Sequence, residues 1–197
     1  MRQWAYDAVD DGWVAHVAHL DEDGLPVATP MLYVRRDDEL LLHGAVANST
    51  MRRWVDSTRV SATISLIDGL VVARSAFNSS VAYRSVRIKG SIQSLDGSER
   101  DAALDYITDH LIPGRRDEIR GSHSGELRTT TVLALRLDEV ELRNGSTEPR
   151  DALSDVDPRV WCGVVPIRIE AGAPQAHSSV DASVPVPASV RAWVAPR

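Results

Sequence analysis

The sequence predicts a mainly β protein, a β-barrel carrying α-helical insertions. Short apolar runs alternate with polar residues along most of the chain, at the period of two that a half-buried strand needs. Turn pairs such as Asp23-Gly24 and Asp68-Gly69 separate these runs at hairpin spacing. The period changes to that of a helix in only two places.

Taken in order, "WVAHVAHL" (13–20) reads as the first strand. "DEDGLP" turns the chain, and Val27 to Val34 returns as the second strand. Arg35 to Asp38 makes another turn and Glu39 to Gly44 a third strand, followed by a short helix from Ser49 to Asp56. "RVSATISLI" (59–67) and "LVVARSA" (70–76) read as two strands joined by a hairpin at Asp68-Gly69. "SAFNSSVAYRS" (75–85) reads as a polar loop between strands, or as a polar kink that lines a pocket. From Arg84 to Leu95, Val86, Ile88 and Ile92 fall on one face and Arg87, Lys89 and Gln93 on the other. "GSERDAALDYITDHL" then places Leu104, Ile107 and Leu111 at helical spacing, with Ser98 and Asp101 resembling a capping box and Pro113-Gly114 ending the helix. Thr131, Leu133, Leu135 and Leu137 alternate in a long strand, and the later phase slip to Val140 and Leu142 predicts a bulge near Asp138-Glu139. Residues 144–159 form a polar connection, and "VWCGVVPIRIE" (160–170) is the last strand-like run. The Pro- and Ser-rich end reads as a surface arm. One domain over 1–187 with a C-terminal tail over 188–197 accommodates all of this, with no internal repeat.

Composition narrows function. A net charge of −6 gives no broad electrostatic claim on nucleic acid. No apolar run reaches the length of a membrane span. Met1-Arg2-Gln3-Trp4 lacks the apolar centre of a secretory signal, and the one cysteine, Cys162, cannot form an internal disulfide; both fit a cytoplasmic protein. Cys162 has no cationic neighbour in sequence to lower its pKa, so it reads as structural. His16 and His19, three apart on a strand, point to opposite faces and cannot chelate one ion. "DAVDDG" and "DEDG" read as solvated turns, and no carboxylate pair stands out as an acid–base couple.

The stretch "LLHGAVANSTMRRW" (41–54) is the richest in chemistry. Cations near a helix N-terminus are disfavoured by about 0.3–1 kcal/mol each, so Arg52 and Arg53 raise the question of an anion. With Asn48 as N-cap, the N–H groups of Ser49, Thr50 and Met51, two hydroxyls and two guanidinium groups suit a phosphate. The plain alternative is a capped helix with solvated arginines. His43, at a strand end beside this segment, could touch a ligand ring or be satisfied by backbone.

Several ordered blocks carry a family resemblance: "ATPMLYVRRDDELLLHGAVANSTMRR", "ISLIDGLVVARSAFNSSVAYRSVRIKG", "HLIPGR", "GELRTTTVLALRLDEV" and "VWCGVVPIRI". Together they resemble the pyridoxamine 5′-phosphate oxidase-related flavoproteins, in the flavin-nucleotide-binding branch that includes nitroimidazole-resistance proteins. The resemblance implies an FMN-binding split β-barrel, a homodimer with FMN in a groove at the interface. It implies that Ser49, Thr50, Arg52 and Arg53 form the phosphate side, and that Pro30, Met31, Leu32 and Tyr33 run beside the flavin ring. His43, Gly44 and Ala45 match the strand end facing the flavin, Tyr83 and Arg84 the family's Tyr-Arg-Ser, and Trp161 and Arg168 a C-terminal segment that reaches the partner's flavin. Close relatives carry paired histidines and an asparagine where this chain has Asn78-Ser79 and Ala82, and some carry arginine near Ser49. The activity implied is an oxidoreductase acting on a small molecule: a nitro compound, a quinone-like acceptor or a pathway intermediate. His43 and Tyr83 are the candidate proton donors. The alternatives are a barrel that uses haem, with His43 or another histidine as axial ligand, or a deazaflavin, or a non-catalytic flavin-binding protein.

Overall fold

The computed structural model describes residues 2–56 and 59–195. Met1 and the last two residues of the expected tail, 196 and 197, lie outside the described residues. The chain runs α1 (Arg2–Asp11), β1 (Val14–Leu20), β2 (Pro26–Arg36), β3 (Glu39–Ala45), α2 (Ser49–Asp56), β4 (Val60–Val72), β5 (Ser80–Gly90) and β6 (Ile92–Leu95). It continues through α3 (Gly97–Leu111), α4 (Ser124–Arg128), β7 (Thr130–Arg136), β8 (Glu139–Asn144), β9 (Gly163–Pro166) and α5 (Ala188–Val194), with 3-10 turns at Arg115–Glu118 and Leu153–Asp155. The strands lie in the order β6-β7-β3-β2-β1-β4-β5-β8, and β9 adds to β4. Every ladder is antiparallel. No helix among the described residues is long and apolar enough to cross a membrane.

Two cores sit on opposite faces of the same strands. The run Leu40-Leu41-Leu42 explains how: Leu40 and Leu42 point into the barrel with Val17, Ile64, Val86, Ile88, Leu133 and Leu135, while Leu41 points outward to α3. A strand buried on both faces needs a continuous apolar run rather than an alternating one. α3 covers the outer core through Ala103 and Ile107, against Val34, Val132 and Ala134. α1 covers the barrel interior with Ala5, Ala8 and Val9. Tyr33 donates its hydroxyl proton to the Val9 carbonyl, and Arg35 forks onto Asp10 through Nε (2.7 Å) and Nη2 (2.5 Å).

The barrel closes at a corner. β5 pairs with β8, and β6 with β7, so β5–β6 and β7–β8 are two bent ribbons crossing at Gly90-Ser91 and Arg136-Leu137-Asp138. The backbones approach so closely that a Cβ on Gly90 would lie 1.7 Å from the Arg136 carbonyl oxygen. Arg136 donates its N–H to the Ser91 carbonyl (2.9 Å), and Ser91 donates its own to the Asp138 carboxylate (3.0 Å).

Several expectations are corrected. Asp68-Gly69 is not a hairpin: β4 runs unbroken through it for 13 residues, with a register shift between Ile67 and Gly69. Asp68 is the extra residue of a bulge, a use of Asp-Gly that local sequence does not separate from a turn. The phase slip near Asp138-Glu139 is the barrel corner rather than a bulge. α3 is entered through Asp96 with no side-chain cap, so Ser98 and Asp101 form no capping box. "DAVDDG" belongs to α1 and its exit, not to a solvated turn, because Ala8 and Val9 are buried. The last strand shrinks to the four residues of β9. The C-terminal arm carries α5, which docks on the body: Trp193 meets Trp13 edge-on, with ring centroids 5.6 Å apart.

Gly90→Ala drives a methyl group into backbone rather than into a yielding side chain. It is expected to destabilise the protein by about 3 kcal/mol, read as a lower urea midpoint. Gly121→Ala, where an added Cβ meets nothing within 4 Å, is the control and should leave the midpoint in place. Equal midpoints for both variants would refute the corner as the point of closure.

Candidate functional site

α2 forms as expected over Ser49–Asp56, with Met51 and Trp54 buried and Arg52 and Val55 exposed. Asn48 caps it: its Oδ1 accepts the N–H groups of Thr50 (3.0 Å) and Met51 (3.3 Å). Two of the donors assigned to an anion are therefore already engaged. The Ser49 N–H and the Ser49 and Thr50 hydroxyls make no hydrogen bond among the described residues. Helical side chains lean toward the N-terminus, so Arg52 and Arg53, one turn on, reach back over Ser49. The apparent conflict with the helix dipole is small, since Arg53 belongs to the last turn of this eight-residue helix. Arg53 is ion-paired with Glu22 from the β1–β2 turn. Arg52 has no protein partner among the described residues.

Beside α2 the sheet parts. β2 pairs with β3 only from Tyr33 to Arg36, and with β1 from Pro26 to Leu32. β3 meanwhile continues along β7 to Ala45. Pro30-Met31-Leu32 and His43-Gly44-Ala45 therefore face each other with no ladder between them, leaving main-chain donors and acceptors on both sides of an open split. The split ends where the Ala45 carbonyl accepts the Asn48 N–H (2.9 Å), just before α2. Pro30 and Leu32 are exposed, while Met31 packs on the core. His43 is half-buried, and burial lowers its pKa, which keeps the imidazole neutral near pH 7. Gly44 has a packing role: a Cβ there would come 2.4 Å from Met51 Sδ, so its absence lets α2 rest on β3. Tyr33 is buried with its hydroxyl on Val9, and burial plus Asp10 and Asp11 raise its pKa, which holds the phenol protonated in the core.

The other expected residues form a second group on the far half of the β4–β5 hairpin. That half lies past the last pair of β4 with β1, Ala15–Ile64. Tyr83 is exposed opposite Ile67. Trp161 and Arg168 are exposed on either side of β9, which pairs with Gly69–Val72. Arg84 is fully engaged: Nε and Nη2 hold Asp68 at 3.0 and 2.9 Å, and Nη1 holds Asp11 at 2.6 Å. It ties the β4 bulge to the end of α1 rather than presenting an open guanidinium. Among the described residues no ladder or hydrogen bond joins this group to the split.

His16 and His19 lie on opposite faces of β1 as the period requires. His19 stands edge-on to Trp54 at 5.9 Å, and His19 Nδ1 and Trp54 Nε1 are buried without partners among the described residues. No group of three potential metal ligands occurs among the described residues. Cys162 is a half-buried free thiol. Sequence reasoning missed Glu22, Asp11 and Asp68. Each lies far along the chain from the arginine it engages, so no local pattern joins them.

Comparison with known proteins agrees with this architecture. The chain is similar over 98% of its length, and 95% of the other's, to the FAD and haem binding protein from Mycobacterium smegmatis, with 37% identity and a TM-score of 0.93. It is similar to the flavocytochrome Anf3 from Azotobacter vinelandii at 29% identity, covering 98% of this chain and 89% of that one, with a TM-score of 0.89. A candidate 5-nitroimidazole antibiotic resistance protein from Bacteroides thetaiotaomicron shares the fold at 21% identity, over 72% of this chain and 82% of that one, with a TM-score of 0.59. No curated protein matches the sequence. The family model for pyridoxamine 5′-phosphate oxidase matches residues 2–144, and the chain belongs to this family of split β-barrels.

Proposed function

We propose that this chain is a flavin-binding redox protein that holds the flavin's phosphate at the start of α2 and its ring along the split between β2 and β3. The observation that carries the reading is the set of donors at one place that are unengaged among the described residues: the Ser49 N–H, the Ser49 and Thr50 hydroxyls and the Arg52 guanidinium. The residues fit the group, since phosphate takes helix N-termini and charge-assisted bonds, and the open main-chain edges of Pro30–Leu32 and His43–Ala45 suit the polar edge of a flavin ring. FAD is the preferred form over FMN. The FAD and haem binding relative matches nearly the whole chain, including the part after residue 144 that the family model leaves out. When bound, the flavin supplies hydride and single-electron chemistry, and the protein binds and orients it. Neutral His43 can exchange a proton with a small substrate at the split, and the exposed Tyr83 hydroxyl can do so from the second group.

We infer a homodimer as part of this reading. Tyr83, Trp161 and Arg168 stand apart from the split within one chain, and a second copy is the means of bringing them to it. Val14, Ile67, Val164 and Val165 are large apolar side chains left exposed on strands, as an interface requires. Light scattering should give twice the 21.6 kDa chain mass. A monomer that still retains flavin would count against the shared groove.

Flavin-fluorescence titration tests the phosphate assignment. Arg52→Ala should weaken FAD binding by about 1.5–3 kcal/mol. Affinity unchanged in Arg52→Ala places the phosphate elsewhere.

Haem is the second reading, favoured by the two full-length relatives, one FAD- and haem-binding and the other a flavocytochrome. The β4–β5 loop offers Asn78-Ser79 and no imidazole, so the ligand has to come from another element. His43 fits best: it is neutral, half-buried and free of protein hydrogen bonds among the described residues. Haem-reconstituted protein should show a Soret band that shifts in His43→Ala. A band unmoved there but shifted in His16→Ala would transfer the role to the exposed face of β1.

A further inference from the structure

Away from the start of α2, an apolar cleft of about 260 Å3 opens between the head of β1, β2, the end of α3 and α5. It is lined by Trp13, Leu32, Leu111, Ile112, Val190 and Trp193, none of them charged. The two indoles stand edge-to-face, with planes at 83°. Trp13 is still 50% exposed and Leu32 37% exposed, so the cleft opens to solvent with large apolar side chains unburied.

The cleft is held in shape rather than left to chance. α5 has seven residues, too few to stand alone as a helix in water. It is fastened at its start by Glu118, whose carboxylate accepts the Ser189 N–H (3.0 Å) and hydroxyl (2.5 Å). Arg115 donates to the same carboxylate at 3.1 Å. These bonds hold the Glu118 carboxyl down at about 2, below its ordinary 4.5. A depressed carboxyl pKa stabilises the contact above about pH 4.5 and loses it as pH falls toward 2, so the fastening is complete at neutral pH.

Size and lining define the guest. An apolar cavity of about 150 Å3 takes benzene, and drug-sized ligands use about 300 Å3 or more. The cleft lies between these limits, and a lining without charge gives no compensation for burying an ion. We propose that this cleft binds a small uncharged aromatic molecule of one or two fused rings, held between Trp13 and Trp193. Leu32 lines the cleft and also borders the split between β2 and β3. That shared residue sets a guest in the cleft beside the proposed ring site; this adjacency, though not the binding itself, rests on the flavoprotein reading.

Calorimetric titration of the full-length protein with 2-methyl-1,4-naphthoquinone, with and without added FAD, tests the site. The expected result is saturable binding of one molecule per chain. Val190→Trp fills the cleft from α5 and should weaken binding at least tenfold; Leu111→Trp, which fills it from α3 and leaves α5 untouched, should do the same. Leu153→Ala, at an exposed position outside the cleft, should bind as the parent does. The charged analogue 1,4-naphthoquinone-2-sulfonate should bind at least tenfold more weakly. Absence of saturable binding, or equal affinity in both filled variants, overturns the proposal, as does equal affinity for the sulfonate. Loss of naphthoquinone binding with FAD binding intact overturns this site alone, whereas naphthoquinone binding without FAD binding upholds the site and overturns the flavin reading.

Discussion

Closure of the barrel depends on one contact between two backbones, Gly90 against the Arg136 carbonyl. Because Gly90 has no side chain, β5 passes close enough to the end of β7 for the chain to turn at Ser91 and continue as β6 on the other side of the barrel. The same corner lets β7 continue as β8, and the Leu137 N–H binds the Asp38 carbonyl at 2.8 Å beside the start of β3. Placing β7 places β3, which pairs with it from Glu39 to Ala45. Placing β3 in turn sets His43, the end of the split and the start of α2. The chemistry of the site thus inherits its geometry from a residue with no functional group.

Charge does the remaining positioning. With a net charge of −6, the chain has more carboxylates than cations to meet them, and most described arginines are engaged. Exposed ion pairs contribute only about 0–1 kcal/mol each, so their effect is on arrangement more than on stability. Asp10 and Asp11 fix the end of α1 through Arg35 and Arg84. Asp151 is different: its side chain is 4% exposed, accepts the Arg74 N–H at 3.0 Å and lies 3.6 Å from the Arg74 guanidinium. Loss of Arg74 would leave a buried carboxylate without its cation, which costs far more than loss of a surface pair. It fastens the 144–159 connection to the end of β4. Against this background Arg52, exposed and without a protein partner among the described residues, is a cation at the start of α2 that is open to a ligand.

What the sequence made legible follows the range of the forces involved. α2 and α3 were readable because their signals are local: Asn48 marks the start of α2, and Leu104, Ile107 and Leu111 recur at helical spacing in α3. The strands were readable from alternation. The Asp68 bulge was not, since it is fixed by Arg84, 16 residues on, while the Asp-Gly pair itself favours a turn. Nor was the barrel corner, which depends on β5 and β7 meeting in space. α1 was hidden because its buried residues, Ala5, Ala8 and Val9, are small and sit among acids. At the site, the run 48–53 proposed to meet an anion stood out because its donors are contiguous in sequence. That Asn48 engages two of them, that Glu22 engages Arg53 and that Arg84 is saturated are tertiary facts. Tyr33 and Gly44, which the resemblance places in the blocks lining the flavin, carry packing duties that a motif alone does not reveal.

The location of the split has its own physical cause. β2 has eleven residues, and its neighbours divide them: β1 takes one edge as far as Leu32, and β3 takes the other from Tyr33. Tyr33 is the residue at which the exchange occurs, and its hydroxyl is pinned to α1 through Val9. Before that anchor β2 keeps its ladder with β1 back to Pro26, while its other edge has no strand partner among the described residues. β3 is held in turn by β7, so the two part and leave main-chain polar groups exposed on facing edges. In a closed barrel those groups would bind each other. Here they are open to a flat polar ring, next to a capped helix whose Ser49 N–H and Arg52 guanidinium are unengaged among the described residues. The groove is therefore a consequence of strand geometry, and in the proposed reading the few side chains at its rim, His43, Leu32 and Arg52, are the ones that meet its ligand.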